Sequence, residues 1–483
     1  MASNLRIKMN QRQVCTEISS FFPFTPTSGQ EIALEKLASF VLESEDAEVF
    51  VLKGYAGTGK TSLMSAFIRY LERKNTPCVL LAPTGRAAKV LARYSGQHAA
   101  TIHKTIYRKD GRTEEGGFSL QFNKYKHAFF IVDEASMISN DRSDSSPFGS
   151  GHLLEDLLEF VYTGDHCRLI LMGDTAQLPP VGQELSPALD ASALRQLGVQ
   201  AYGTELTQVL RQSEVSGILA NATRLREHIR LGEVHAFPKL RANLVDVIRL
   251  TGDDLLEAIA TSWSRVGMDE SKIVCYSNKR AVIYNKGVRQ ALLYREEELS
   301  SGDFLMVARN NYLWSAAFPE IPFIANGDLV EVVRVRKQYE MYGLRFADVE
   351  MRFPDYEWEM EGRVVLDSLE SESPALGRTE QERLYQEVAF DYSGQVKTKR
   401  ELYQAMKTDP WLNALQVKYG YAFTCHKAQG GQWKDVFIDQ GFVREDRMGL
   451  DYYRWLYTAL TRATERIYLV NFLDAFLDEV PER

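Results

Sequence analysis

Short apolar runs followed by polar or glycine-rich residues recur along the first 200 positions of the chain. They lie at 49–52, 78–82, 128–132 and 169–172, and residues 61–73 carry apolar positions at helical spacing. Runs of four or five apolar residues that alternate with helical segments predict the buried parallel strands of an α/β sheet. The sequence therefore predicts an α/β domain at residues 1–200.

The same alternation resumes further along the chain. Apolar runs lie at 273–275, 436–438 and 467–470, each next to a segment of helical pattern. We therefore predict a second α/β domain, made of residues 201–301 and 411–483.

The pattern between residues 302 and 410 is different. Short stretches of alternating apolar and polar residues are separated by glycine turns, as at 326–335 and 346–353. This pattern predicts a small antiparallel β-barrel inserted into the second α/β domain. The acid-rich segment 370–383 is predicted to be a flexible excursion.

A second insertion is predicted at residues 104–127, within the first domain. Turn-forming Asp-Gly and Gly-Gly pairs occur at 110–111 and 116–117, and Phe118 and Phe122 then alternate with polar residues. These features predict a projecting β-hairpin. An aromatic side chain on such a hairpin could wedge between bases, or it could pack back on the domain.

Composition limits the classes of protein to consider. The chain has 483 residues, of which 45% are hydrophobic and 25% charged, as in folded proteins of several domains. No stretch approaches the ~20 consecutive apolar residues of a membrane span, and the first 16 residues lack the apolar run of a signal peptide. We therefore expect a cytoplasmic protein that contacts no membrane.

The net charge and the cysteine content limit the nucleic-acid, disulfide and zinc interactions to consider. The net charge of −8 argues weakly against a protein that coats nucleic acid with its whole surface, but it allows a locally basic groove. The five cysteines are scattered and form no C-x-x-C pair, so they indicate neither a disulfide framework nor a zinc site.

The first apolar run leads directly into Gly54-x4-Gly59-Lys60-Thr61, the phosphate-binding loop pattern between a strand and a helix. Its glycines let successive backbone N–H groups face one centre, and the helix adds its positive dipole end. Lys60 can reach the terminal phosphates of a nucleotide, and the Thr61 hydroxyl can hold Mg²⁺. The sequence predicts a nucleoside triphosphate site here.

Acidic and amide side chains follow two further strands. Asp133 and Glu134 end the run at 128–132, and Asp174 and Gln177 follow the run at 169–172. Beside a phosphate loop, the first carboxylate can order a magnesium shell and the second can orient the attacking water. Acids that merely favour a helix N-terminus are the alternative interpretation.

Other candidates are less specific. Gln30 could donate to and accept from the edge of adenine, or it could be a solvated residue at a helix N-terminus. Arg211 could stabilise a transferring phosphoryl group or be a surface charge. Pro83 and Thr84 end a strand at the edge where open α/β sheets bind ligands, and could contact a sugar-phosphate backbone.

Six motifs occur in a fixed order: GYAGTGKT (54–61), IVDEAS (131–136), MGDTAQLPPVG (172–182), LTQVLRQ (206–212), FTCHKAQGGQW (423–433) and YTALTRA (457–463). As an ordered set, they resemble the superfamily-1 DNA helicases of the RecD-like and Dda-like group. The resemblance implies two RecA-like P-loop NTPase domains, a hairpin pin in the first, a small Src-homology-3-like barrel in the second, and 5′ to 3′ travel.

The resemblance also implies roles for particular residues. The nucleotide would be contacted by Gln30, Gly57, Thr58, Gly59, Lys60, Thr61, Ser62 and Gly430. Hydrolysis would depend on Lys60, Asp133, Glu134, Gln177 and two arginine fingers, Arg211 and Arg462, with Mg²⁺ held by Thr61 and Asp133. Single-stranded DNA would be contacted by Pro83, Thr84, His103, Thr424 and His426, and Phe118 or Phe122 would separate the strands.

These features favour an ATP-dependent, Mg²⁺-requiring DNA helicase that acts as a monomer on single strands and their junctions with duplex. In the mechanism we expect, ATP hydrolysis is coupled to closure of the two RecA-like domains. Two alternatives stay open: an ATPase that remodels nucleoprotein or acts on RNA, and the motor subunit of a larger recombination complex. The motifs do not distinguish DNA from RNA, because contacts to phosphates carry no sequence information.

Overall fold

The computed structural model describes residues 11–43, 47–109, 118–141, 148–208, 216–317, 323–355 and 358–478. The chain forms two compact units that divide mainly between Thr223 and Arg224; of the earlier described residues, Thr84–Arg86 and Lys109 group with the second unit.

The helices and strands of the first unit are α1 (Gln11–Ser19), α2 (Ser28–Glu43), β1 (Glu48–Gly54), α3 (Lys60–Arg73), β2 (Cys78–Ala82), α4 (Gly85–Ser95), β3 (Ala99–Thr101), α5 (Ile102–Ile106), β4 (Tyr107–Lys109), β5 (Phe118–Leu120), β6 (Phe129–Val132), α6 (Leu153–Tyr162), β7 (Arg168–Gly173), α7 (Ala191–Gln196) and β8 (Gln200–Leu206).

Six of these strands form one parallel sheet in the order β3-β2-β6-β7-β1-β8. All four residues of β6 are buried, as expected when helices cover both faces of a sheet. Helix α3 buries Leu63, Phe67 and Leu71 on one face, at the spacing of an amphipathic helix. The α/β fold predicted for this part of the chain is confirmed.

The strand β8 corrects the domain boundary predicted at residue 201. Each residue from Gln200 to Leu206 is paired in parallel with a residue of β1, so the segment completes the first sheet. Its alternation of exposed and partly buried residues is that of an edge strand, which lacks the continuous apolar run by which the inner strands were recognised.

Helix α8 (Gly217–Leu231) spans the division, and the second unit continues with β9 (Val247–Leu250), α9 (Leu255–Val266), β10 (Ser271–Cys275), α10 (Asn278–Ala291), β11 (Phe304–Val307), β12 (Leu329–Met341), β13 (Leu344–Phe353), β14 (Trp358–Val365), α11 (Arg378–Ser393), α12 (Lys399–Thr408), β15 (Leu415–Tyr419), β16 (Ala422–Thr424), α13 (Cys425–Ala428), β17 (Trp433–Asp439), α14 (Leu450–Leu460) and β18 (Ala463–Val470).

The second unit contains a parallel sheet and a closed barrel. The sheet has the order β16-β10-β17-β18-β9, and β11 to β15 close the barrel. The predicted barrel insertion is confirmed, but its last strand, Leu415–Tyr419, lies beyond the predicted end at residue 410. Helix α11 begins at Arg378, so the segment 370–383 is not wholly an irregular excursion; Leu384 and Val388 of this helix are buried.

The barrel and the second sheet share one core. Ile273 and Cys275 of β10 belong to the same buried cluster as Val330 and Val349 of the barrel. At the base of the barrel, the buried carboxylate of Asp303 accepts hydrogen bonds from Arg289 (3.0 and 3.1 Å), Arg295 (2.6 Å) and the Tyr421 hydroxyl (2.9 Å). Because removing one partner of a buried ion pair is costly, this cluster fixes the barrel to the sheet.

Within the described ranges, none of the helices combines the length and the apolarity needed to cross a bilayer.

Candidate nucleotide site and nucleic-acid contacts

The strand order of the first sheet places three motifs side by side. β1 ends in the phosphate-binding loop, its neighbour β7 ends before Asp174, and β6, next to β7, ends before Asp133. Neighbouring parallel strands lie about 4.8 Å apart, and their carboxyl ends share one edge. The sheet therefore gathers the three motifs at a single edge of the first unit.

The loop has the tight curl that its sequence predicts. Gly57 and Gly59 have φ angles of 76° and 83°, values that disfavour residues with a side chain. Lys60 Nζ donates to the carbonyl oxygens of Gly54 (2.5 Å) and Tyr55 (3.1 Å), and the ammonium group thus lies over the loop. A phosphate group bound by the loop would meet this charge directly.

Gln30 is buried against the loop. Its side chain is 1% exposed; Nε2 donates to the Thr58 carbonyl (3.0 Å), and Oε1 accepts from the Thr27 N–H (2.9 Å). The amide thus ties the start of α2 to the phosphate loop through Nε2, while Oε1 bonds within the turn that begins the helix. Contact with adenine stays a prediction, whereas a solvated position is wrong.

Asp133 is held by two donors. The Tyr94 hydroxyl donates to Asp133 Oδ2 (2.7 Å), and the Glu134 N–H donates to Oδ1 (2.8 Å). Burial, followed by the charge of Asp133, raises the pKa of Tyr94 well above its usual value, so the phenol remains a donor. Glu134 has left-handed backbone angles (φ 52°, ψ 38°), which are uncommon outside glycine and typical of strained functional positions.

Two buried polar atoms near these motifs have no hydrogen-bond partner within the described part of the chain: Gln177 Oε1 and Ser136 Oγ. Buried polar groups normally have partners, so these atoms suit a bound ligand or water. Together with the Asp133 carboxylate and the exposed Thr61 hydroxyl, they are hard oxygen donors. This donor set fits Mg²⁺ and its water shell.

Tyr94, Ser136 and Tyr55 are site residues that the sequence reasoning missed. Burial and the neighbouring Glu205 carboxylate raise the pKa of Tyr55 to about 12, so the second residue of the phosphate loop is in contact with the end of β8. Ser136 lies inside the quoted IVDEAS motif and could have been singled out there. No motif marks Tyr94, whose role depends on how α4 packs.

Three of the residues predicted to contact DNA come directly after neighbouring β-strands of the first sheet. Pro83 and Thr84 follow β2 and are half-buried, and His103 lies in α5, directly after β3. The His103 ring packs edge-on against Phe148, with 4.9 Å between ring centroids. Burial lowers the pKa of His103 to about 4, so this imidazole is neutral at physiological pH.

The two candidate hairpin aromatics have different environments. β4 and β5 pair as a two-stranded sheet, and residues 110–117 between them lie outside the described residues. Phe118 is 5% exposed and packs on Phe148, with 4.7 Å between centroids, whereas Phe122 is 72% exposed. Phe118 therefore belongs to the core at the foot of the hairpin. It cannot stack on a nucleobase without leaving that core. Phe122 has the exposure that a wedge requires.

The second unit holds the remaining candidates. Thr424 ends β16, and His426 lies in α13 with its side chain exposed. Gly430 has a φ angle of 72°. Arg462 is 2% exposed, and its guanidinium donates to the carbonyls of Thr458 (3.1 Å) and Gly431 (3.3 Å). Arg211 lies outside the described residues, so the roles of both arginines stay predictions.

A phosphate loop, a carboxylate pair and a glutamine at one edge of a parallel sheet, with a second parallel sheet downstream, define the class: a P-loop NTPase fold with two α/β units. A family model described as an AAA domain matches residues 26–243, and one described as a UvrD-like helicase C-terminal domain matches residues 419–470. The chain is also similar in sequence to proteins named ATP-dependent DNA helicases.

Individual relatives are about 25% identical to the chain over the residues that align. The ATP-dependent RecD2 DNA helicase of Deinococcus radiodurans is 25% identical over 465 residues, which cover 93% of this chain and 51% of the relative. The ATP-dependent DNA helicase dda of Enterobacteria phage T4 is 25% identical over 294 residues, covering 58% and 60%. The chain thus spans about half to three fifths of the length of these relatives.

Among solved structures, the Pif1 helicase from Bacteroides in complex with ADP-AlF3 and ssDNA aligns over 95% of each chain, with 16% identity and a TM-score of 0.44.

Proposed function

We propose that this chain is an ATP-dependent DNA helicase that moves 5′ to 3′ along single-stranded DNA and separates duplex at the junction. The observation that carries the proposal is the meeting of the phosphate loop, the Asp133-Glu134 pair and Gln177 at one sheet edge, in a chain similar in sequence to DNA helicases. The names of the relatives, ATP-dependent DNA helicases, support the choice of substrate.

The residues of the first unit divide the hydrolytic work. The loop amides and Lys60 bind the phosphates of ATP, and Gln30 holds the loop in shape through the Thr58 carbonyl. Glu134 orients the attacking water, and Gln177 detects the terminal phosphate by donating from its amide Nε2, which leaves the unmatched Oε1 to accept from that water. Positioning and charge stabilisation of this kind account for most of the catalysis in phosphoryl transfer.

Mg²⁺, when held by Thr61 and Asp133, would neutralise charge on the β- and γ-phosphate oxygens. The chain's own contribution is to orient the Asp133 carboxylate, which it does through the hydroxyl of Tyr94 and the N–H of Glu134.

We further propose that single-stranded DNA is contacted by Pro83, Thr84 and His103, which follow strands of the first sheet, and by Thr424 and His426, which follow a strand of the second sheet. We also propose that Phe122 separates the strands. Action as a monomer in the cytoplasm completes the proposal. Five free cysteines fit the reducing conditions of that compartment.

ATP turnover measured with oligo-dT, with oligo-U and without nucleic acid tests the proposal. We expect DNA to stimulate turnover strongly and RNA to do so much less. Equal stimulation by both strands would favour the RNA or remodelling alternative, and turnover that ignores both would contradict a nucleic-acid motor.

A further inference from the structure

A cleft within the second unit contains two lysines for which the described part of the chain provides no carboxylate partner. It lies between the second sheet and the barrel and opens to solvent. Lys418 of β15 and Lys427 of α13 line it, together with Thr424 and Asn278. Within the described residues, no acidic oxygen lies within 4 Å of either ammonium group.

Each lysine is held by a neutral acceptor. Lys418 Nζ donates to the Ser371 carbonyl, and Lys427 Nζ donates to the side chain of Asn326 in the turn before β12. An ammonium group has three donors, so each lysine can bind a further acceptor. The carboxylates on the segment that lines the cleft are engaged elsewhere, because Glu370 pairs with Lys286 and Glu372 with Lys279.

The two positive charges are poorly compensated in this position. Burial lowers the pKa of Lys427 to about 8, and burial together with the charge of Lys427 lowers the pKa of Lys418 to about 8. Both groups are still mostly protonated at pH 7. A bound anion would relieve both the desolvation and the mutual repulsion.

The other groups in the cleft suit a phosphodiester. Thr424 offers a hydroxyl and Asn278 an amide, the neutral donors that commonly accompany lysine on nucleic-acid phosphates. Asn278 also begins α10, a helix of 14 residues, whose N-terminus favours negative charge. The cleft therefore combines two cations, two neutral donors and a helix N-terminus with mostly apolar neighbours, among them Val282, Met306 and Phe423.

We propose that Lys418 and Lys427 bind a backbone phosphate of the nucleic-acid strand, and so hold the strand at the joint between the second sheet and the barrel. This inference rests on the proposed function and assigns a barrel residue, Lys418, to the strand path. The strand is gripped there independently of its sequence, because phosphate contacts carry no base information.

The test is the salt dependence of oligo-dT binding, measured by fluorescence anisotropy for the full chain, for Lys418→Met, for Lys427→Met and for both changes together. The double variant Lys418→Met with Lys427→Met should lower the slope of log affinity against log salt by about 0.7 and weaken binding about fivefold at 0.1 M salt, as for one lost phosphate contact on a single strand, and each single variant should lower the slope by less. Lys418→Arg should keep the wild-type slope. Lys397→Met, which removes an exposed lysine of the same unit, is the matched control.

The variants should lose the same fraction of their affinity for an abasic oligomer of the same length, since the contact is to the backbone. ATP binding to each variant, measured without DNA, reports folding independently of the cleft. If the wild type binds no strand, the proposed function fails. If the wild type binds but the double methionine variant keeps its slope, the phosphate site is wrong. The site is also wrong if the variants lose affinity only for oligomers that carry bases.

Discussion

At the scale of single residues, Lys60 is the group whose removal should affect turnover most. Its ammonium lies over the phosphate loop, close to the Gly54 and Tyr55 carbonyls, where it would stabilise charge on the terminal phosphates. Lys60→Ala should reduce DNA-stimulated ATP turnover by at least about 100-fold, by analogy with the loss of one catalytic charge donor. Lys74→Ala, at the other end of α3, should leave turnover unchanged; ordinary turnover in Lys60→Ala would refute the assignment of the site.

Tyr94 should act on hydrolysis through Asp133. Tyr94→Phe removes only the hydroxyl that donates to Asp133 Oδ2, and the loss of such a supporting hydrogen bond typically weakens metal affinity 10- to 100-fold. We expect the Mg²⁺ concentration for half-maximal ATP turnover to rise about tenfold, with thermal stability nearly unchanged.

Tyr70→Phe, another aromatic residue of the first unit, serves as the control and should leave that Mg²⁺ concentration as it is. An unshifted Mg²⁺ dependence in Tyr94→Phe would mean that Tyr94 has only a packing role.

His103 makes the stability of the first unit depend on pH. Its folded pKa, about 4, lies below the ordinary value near 6.5 because the half-buried ring is poorly solvated, which disfavours its charged form. Between these values the unfolded chain binds the proton and the folded chain does not, so stability falls as the pH drops from 6.5 towards 4 and is fully present above about 7.

The corresponding variant is His103→Phe, which keeps a ring beside Phe148 and cannot titrate. The loss in free energy of unfolding between pH 7 and 5 should be smaller in this variant than in the wild type. His98→Phe, at an exposed position of the same unit, should keep the wild-type pH dependence. Identical pH profiles for His103→Phe and the wild type would contradict the neutral, poorly solvated ring.

The residues that the sequence identifies best are those that a fixed spacing defines. Lys60, Asp133 and Gln177 belong to motifs that occupy strand ends, and a parallel sheet brings such ends together whatever the rest of the fold. Tyr94 could not be found in this way, because its contact with Asp133 depends on the packing of α4. The buried state of Gln30 likewise depends on the docking of α2 against the loop.

At the scale of elements, mutations at the base of the hairpin and at the exposed aromatic residue after it should have different effects. Phe122→Ala should reduce duplex unwinding while DNA-stimulated ATP turnover stays near the wild-type level, because its ring is 72% exposed and supports no core. Phe118→Ala should instead destabilise the first unit by about 3 to 5 kcal/mol, the usual result of removing a buried phenylalanine.

Unwinding, ATP turnover and thermal melting, measured on both variants, distinguish these outcomes. Full unwinding activity in Phe122→Ala would remove this residue from strand separation.

The elements that the sequence placed incorrectly lack continuous apolar runs. The strand β8 is a partly exposed edge strand, and β15 alternates buried and partly buried residues because it closes the barrel. Helix α11 was obscured by its acidic composition, although Leu384 and Val388 already have helical spacing. Inner strands such as β6 were found because both of their faces are buried.

At the scale of the whole molecule, the second sheet and the barrel share a core and the buried Asp303 cluster. They should therefore move together as one body, with the proposed Lys418 and Lys427 site at their joint. The sequence predicted the second sheet and the barrel but not their shared core, since Asp303, Arg289 and Arg295 belong to no recognisable motif.

The most direct test of the central claim is the unwinding of duplexes that carry a 5′ single-stranded tail, a 3′ tail or no tail, with ATP and Mg²⁺ present. A helicase that moves 5′ to 3′ should separate the 5′-tailed duplex, and Lys60→Ala should separate none of the three. Equal or preferential separation of the 3′-tailed duplex, or ATP turnover without separation of any substrate, would contradict the proposed function.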